Sequence, residues 1–160
     1  MKYHRLTEAQ FHEMHEEFSI FLATNSIDKK KWDCVKKETP TTVSFLLDEF
    51  SDLVWEKILT QCSYLEFITP KQLFLFWTKE VTVDALVLKV TNVKHDLTTS
   101  EGFNWMLSNL SSNRITLFKA SREYEPRRND FIYSYLKKGA VLSDGLYFKQ
   151  LKSYFSNSIK

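Results

Sequence analysis

Apolar residues recur along the chain first at helical spacing and then at strand spacing, and the change falls near Tyr64. Thr7-Glu8-Ala9-Gln10 has the form of a capping box, in which the Thr7 hydroxyl accepts a first-turn amide while Gln10 reaches back. Leu6 stands where it can staple onto Phe11. Phe11, Met14, Phe18, Phe21 and Leu22 share one stripe to about Asn25, with Glu13, Glu16 and Glu17 away from it, which predicts one amphipathic helix. Ser26 or Asp28 can cap a lysine-rich helix through Lys37, anchored by Trp32 and Val35. Pro40 suits the first position of a third helix, where its missing amide costs no hydrogen bond. Val43, Leu46, Leu47, Phe50, Leu53, Val54 and Ile58 form the stripe of that helix, which runs to about Gln61.

Beyond Tyr64, the segments Leu65 to Thr69, Gln72 to Thr78 and Thr82 to Thr91 are dense in β-branched and aromatic residues. Thr69-Pro70-Lys71 and Lys79-Glu80 punctuate them, so they read as three strands in an antiparallel meander. Leu73 to Trp77 is apolar at every position, the mark of a strand covered on both faces. Thr98-Thr99-Ser100-Glu101 opens a further helix carrying Phe103, Met106, Leu107 and Leu110, and Ile115 to Lys119 offers a fourth strand. Glu125-Pro126 opens a helix through Lys138, with Gly139 placed for a left-handed C-terminal residue. Ser143 or Asp144 caps the last helix, lined by Tyr147, Phe148, Leu151, Tyr154 and Phe155.

Helices, then strands, then helices imply an α+β fold rather than a doubly wound one. The expected architecture is an antiparallel sheet of three to four strands packed by N-terminal and C-terminal amphipathic helices. Its expected core includes Phe11, Phe18, Leu46, Phe50, Val54, Phe74, Phe76, Leu86, Leu88, Phe103, Leu107, Leu136 and Leu151. A length of 160 residues is that of one domain, taken as residues 1–160, and 43% apolar with 15% aromatic residues supplies its core.

Composition removes several classes of function. The opening residues lack the apolar run of a secretory signal, and the longest apolar run, Leu73 to Trp77, is far below the roughly 20 residues of a membrane-spanning helix. A cytoplasmic protein with no membrane partner is expected, with Cys34 and Cys62 as free thiols. Gly102, Gly139 and Gly145 are the only glycines, so neither GxGxxG nor GxxxxGK[ST] can be written, and no cofactor is expected.

His12 and His15, with Glu8 and Glu16 nearby, form a carboxylate and imidazole cluster able to hold a divalent metal, although the spacing is not that of HExxH. The plainer reading is a solvated helix flank. His95-Asp96 lies between a strand and a helix, with Ser100 and Cys62 as conceivable nucleophiles, but triads are assembled in space and Asp96 equally serves to start the next helix.

Charge is unevenly spread: residues 1–113 carry 12 basic and 16 acidic side chains, and the rest carry 10 and 4. Arg122, Arg127, Arg128, Lys137, Lys138, Lys149 and Lys152 are interleaved with Tyr124, Tyr133, Tyr135, Tyr147 and Tyr154. That mixture suits an acidic protein surface, phosphates and bases, or an ordinary solvated face. Trp55 and Trp105 lie off their apolar stripes, where exposure makes interface anchors and sandwiching makes core.

Lys137 to Gly145, the stretch Phe50-Ser51-Asp52-Leu53-Val54-Trp55-Glu56 and the opening helix together resemble a family of small uncharacterised bacterial cytosolic proteins, a domain of unknown function, over most of the chain. That resemblance implies a complete small protein and brings no activity, ligand or catalytic residue with it. The leading expectation is therefore a non-enzymatic cytoplasmic binding or adaptor protein. It contacts an acidic partner through Arg122, Arg127, Arg128, Tyr133, Lys137, Lys138, Lys149 and Lys152. A nucleic-acid-binding accessory protein using the same surface is the alternative, followed by a small metal-dependent hydrolase at the His12/His15 helix.

Overall fold

A computed structural model of the chain describes residues 2–91 and 94–158, with side chains through Tyr154; Phe155 thus lies outside the described side chains. Helices α1 (Glu8–Glu13), α2 (His15–Thr24), α3 (Lys29–Glu38) and α4 (Pro40–Gln61) precede strands β1 (Tyr64–Ile68), β2 (Gln72–Thr78) and β3 (Thr82–Val90). Then come α5 (Ser100–Ser108), β4 (Ile115–Glu123), α6 (Arg128–Lys138), β5 (Val141–Ser143) and α7 (Leu146–Ser158). These residues form two compact units, Met1–Ile58 and Leu59–Lys160, whose boundary falls inside α4.

In the first unit the Thr7 capping box is made in full, with Gln10 N donating to Thr7 Oγ1 and Thr7 N to Gln10 Oε1. The single helix expected from Thr7 to Asn25 is two, because the chain turns at Met14 (φ −104°, ψ 27°). His15 Nδ1 lies 3.1 Å from the His12 carbonyl oxygen, a side-chain contact that competes with the helical pairing of that oxygen. Leu6, Phe50 and Val54 are buried together, and Leu22, Ile27 and Leu46 form a second cluster beneath Phe18, Phe21 and Trp32.

One face of α4 holds the segment that precedes α1. Asp52 accepts the amides of Lys2 and Tyr3 at 2.8 Å each, and Ser51 Oγ accepts the amide of Leu6 at 3.0 Å. Trp55 Nε1 donates to the His4 carbonyl at 3.0 Å, and Glu56 accepts the Tyr3 hydroxyl. The Phe50 to Glu56 stretch thus alternates core residues with clamps for an extended N-terminal segment. That Trp55 is half-buried follows from its place over this segment.

In the second unit five strands, not three or four, form an antiparallel sheet in the order β4-β3-β2-β1-β5. β4 continues past Lys119 to Glu123 although Lys119, Ser121 and Arg122 break its apolar pattern; as an edge strand it keeps its backbone pairs with β3 while exposing those side chains. β5 is only three residues, too short for any periodicity, and is set by its surroundings. Gly139 (φ 109°) ends α6, and the Ser143 hydroxyl donates to Glu66 on the neighbouring strand at 2.8 Å. Gly145 (φ 82°) passes so close to Tyr64 that a Cβ there would stand 2.6 Å from the ring. Glu125-Pro126 does not open α6 as expected: its peptide is cis, and the helix begins at Arg128.

Sheet register sorts the side chains. Leu73, Leu75 and Trp77 of β2 share a face with Leu86 and Leu88 of β3 and with Tyr64 and Ile68 of β1, under Met106 of α5 and Phe148 and Leu151 of α7. Phe74 and Phe76 point the other way, to Phe131 and Tyr135 of α6. The double-faced apolar pattern of β2 is thereby explained, since it is the central strand. Leu46, Phe50, Val54, Phe76, Leu86, Leu88 and Leu151 are buried as expected; Phe11, Phe18, Phe74, Phe103, Leu107 and Leu136 are only half-buried. No helix among the described residues is long and apolar enough to cross a membrane.

Candidate functional site

The basic C-terminal residues divide among three situations. Arg128, the first residue of α6, turns inward. Its Nε donates to the Lys79 carbonyl at 3.2 Å, Nη1 to the Leu59 carbonyl at 2.8 Å, and Nη2 to the Thr78 carbonyl at 3.1 Å and to that of Cys62. A guanidinium presents five N–H groups in a rigid fork, and here the fork joins the end of α4, the end of β2 and the turn after it. Leu59 O belongs to the last turn of α4, where the helix dipole favours a cation. Arg128, expected from the sequence to meet a partner, thus has its donors engaged by carbonyls of its own unit.

Tyr124 and Cys62 border this clamp. The Tyr124 hydroxyl lies 2.7 Å from the Lys79 carbonyl and 3.0 Å from that of Thr82, and burial, only partly opposed by the Arg128 charge, pushes its ionisation up to about 12. Burial likewise raises the Cys62 thiol above its ordinary value, against the opposing pull of Thr78 and Arg128, so it is held as a protonated side chain. Arg127 faces outward and pairs with Asp130 through two hydrogen bonds of 2.9 and 3.0 Å, a fork that compensates much of its charge.

The remaining cations lie on opposite sides of the sheet. On the α6 side, Lys137 Nζ stands 5.0 Å from the Tyr133 ring centre, Lys138 Nζ 4.7 Å from that of Tyr135, and the Arg122 guanidinium 5.8 Å from that of Phe131. On the α7 side, Lys149 Nζ is 5.2 Å from the Tyr64 ring and Lys152 Nζ 5.2 Å from the Trp77 ring. One continuous basic surface on the C-terminal helical pair, as the sequence suggests, is not what forms; the sheet separates its members.

The α7 side gains residues that sequence reasoning passed over. Tyr64 and Trp77 are directly paired across β1 and β2 and stack at 15° with centres 6.3 Å apart, both resting on Phe148. Lys79, just past β2, places a third ammonium 5.2 Å from the Trp77 ring and 3.0 Å from Asp84. Burial pushes the Asp84 carboxyl upward, but the Ser121 hydroxyl and the charges of Lys79 and Lys152 outweigh it and hold the group below the usual carboxylate range. An open hollow beside it is lined by Lys79, Asp84, Lys119 and Ser121. Three lysines thus surround two stacked rings, each cation held by the electron-rich face beneath it. The hairpin register, which sets Tyr64 opposite Trp77, was the available signal.

The other chemical candidates do not assemble. His12 and His15 have ring centres 6.3 Å apart, and no three His, Cys, Asp or Glu side chains among the described residues gather as a metal would require, so Glu8 and Glu16 do not complete a site with them. His95 stacks on Trp105 at 4.4 Å and 12°, which accounts for the half-burial of that tryptophan. Asp96 accepts the amide and hydroxyl of Thr98 and so helps to start α5; these hydrogen bonds lower its carboxyl below the usual range. Cys34 and Cys62 are free.

Fold and surface together define a small α+β protein with a lysine and aromatic platform on its sheet. The chain belongs to DUF6495, a family of unknown function whose model matches residues 1–156. No curated protein and no solved structure matches it. The stretches that carry the resemblance, Phe50 to Glu56 and Lys137 to Gly145, are occupied by the N-terminal clamp and by the β5 turn, both structural devices.

Proposed function

We propose that the protein is a non-enzymatic binding or adaptor protein of the cytoplasm that contacts an acidic protein partner through the α7 side of its sheet. The observation that carries this reading is the convergence of Lys79, Lys149 and Lys152 on the Tyr64 and Trp77 stack, with Asp84 among them. Charges held over rigid rings lose little freedom when a carboxylate-rich surface docks, and they steer its approach. Lys137, Lys138 and Arg122 lie across the sheet and form a separate, smaller cationic region. Both thiols being free suits a reducing compartment. Nucleic acid is a poorer fit, because the faces of Tyr64 and Trp77 are taken up by each other, by Phe148 and by ammonium groups rather than open to bases.

Affinity capture with the wild-type protein, a Lys149→Glu/Lys152→Glu variant and a Lys137→Glu/Lys138→Glu variant tests the proposal. Partners retained by the wild type and the second variant, but lost by the first, are expected. Identical partner sets from all three would overturn it. Steep, log-linear salt dependence of binding to single-stranded DNA, abolished by the first variant, would transfer the same surface to nucleic acid.

A further inference from the structure

The α6 side of the sheet carries a second feature, independent of the lysine platform. Ala85 of β3 and Ala120 of β4 are directly paired, and the next residues on that face are Val83 and Arg122 to one side and Val87 and Phe118 to the other. α6 packs over β2, where Phe131 and Tyr135 close on Phe76 at ring distances of 5.6 and 4.7 Å, and it does not cover the alanine pair. Two methyl side chains beside the four rings of Phe74, Phe76, Phe131 and Tyr135 leave a hollow of about 200 Å³. Its walls are apolar apart from the Tyr135 hydroxyl and the Arg122 guanidinium, and Arg122 is its one charged lining residue. Among the described residues, Arg122 has the Phe131 ring as its contact, and no carboxylate pairs with it.

We infer that this hollow binds a small carboxylic acid with a single aromatic or branched aliphatic body, the body resting on Ala85 and Ala120 and the carboxylate meeting Arg122. Size and charge both select that occupant. A dry apolar cavity of roughly 150 Å³ accommodates benzene, so this volume takes one ring and a short arm but not a drug-sized molecule. A guanidinium beside an apolar wall pairs with a carboxylate through two parallel hydrogen bonds, and a neutral body alone would leave that charge unused.

Titration of 3-phenylpropanoate into the full-length protein, followed by amide chemical shifts, is the direct test, with 3-phenylpropanamide as the uncharged control. Shifts are expected in β3, β4 and α6, with a dissociation constant in the millimolar range or tighter, about what a ligand this small can reach. Arg122→Gln should weaken the acid at least about tenfold and leave the amide unchanged, a loss equivalent to one charge-assisted pair. Ala120→Leu, at an exposed edge-strand position, should abolish both by filling the hollow, while an unchanged unfolding midpoint shows the fold intact. Absence of shifts up to tens of millimolar probe, or acid binding indifferent to Arg122→Gln, would overturn the inference. Tighter binding of an acetylated tripeptide ending in Phe would reassign the hollow to a partner's chain end.

Discussion

Arg128 and Lys152 are both cations of the C-terminal region, yet the two sides of the sheet use them in opposite ways. On the α6 side the Arg128 fork is spent on carbonyls of Leu59, Cys62, Thr78 and Lys79, so it holds the unit together. On the α7 side Lys152 is an exposed residue whose ammonium stands 5.2 Å from the Trp77 ring and whose charge acts on Asp84. A planar group with several fixed donors is suited to tie backbone ends, whereas a flexible stem with a terminal point charge is suited to a surface. Two neighbouring arginines and two neighbouring lysines therefore cannot be summed into one basic patch.

The comparison is broken most directly at Arg128. Arg128→Met removes the charged donors shared by four carbonyls, of which those of Leu59, Cys62 and Lys79 keep a second donor, and should lower unfolding free energy by about 3 kcal/mol, read as a shift in denaturant midpoint. Arg128→Lys should recover only part, since one ammonium cannot span the same acceptors. If Arg128→Met unfolds like the wild type, the clamp has no structural role and the contrast between the two sides fails.

Glycine substitutions probe the α7 side at a smaller scale. A Cβ on Gly102 would fall 1.8 Å from the Asp96 carbonyl oxygen, so Gly102→Ala must displace α5 from its starting loop, at a cost of about 2 to 3 kcal/mol. Gly145→Ala meets the Tyr64 ring and a left-handed backbone; a loss of about 1 to 2 kcal/mol and an altered Tyr64 environment by nuclear magnetic resonance are expected.

Tyr124 gives a pH-dependent test of the α6 side. Its folded ionisation lies near 12, above the ordinary phenol value, so the unfolded chain loses this proton first. The stability it contributes is complete below about pH 10 and is lost as pH rises toward 12. A Tyr124→Phe variant should show a shallower alkaline decline, and its phenolate absorbance titration should lack the last-ionising group. Equal alkaline slopes for both proteins would remove Tyr124 from the clamp. The smallest effect is expected on the other side of the sheet: Lys149→Met and Lys152→Met should each change stability by under about 0.5 kcal/mol, as surface cations do, and act on binding alone.

Much of the architecture was readable where local chemistry is strong. The Thr7 box, the Asp28 cap, Pro40, the three central strands and Gly139 stand where residue type alone places them. The break at Met14 and the start of α6 at Arg128 were not readable, because each depends on how the chain continues rather than on any one residue's preference. β5 escaped because three residues have no period and form a strand only beside β1. Of the candidate site, Lys149 and Lys152 were found by charge, while Tyr64, Trp77, Lys79 and Asp84 were passed over because they come from separate segments joined by strand pairing.

Sequence by itself determined the helices and central strands, the double-sided character of β2 and the total charge, since these follow from side-chain type and spacing over a few residues. Tertiary structure alone decided on which side of the sheet each cation lies, which rings lie beneath them and where two alanines leave a hollow. How far a side chain's donors are engaged depends on the acceptors that the fold brings within hydrogen-bonding reach, and that reach spans segments far apart in the chain, as Arg128 and Leu59 show.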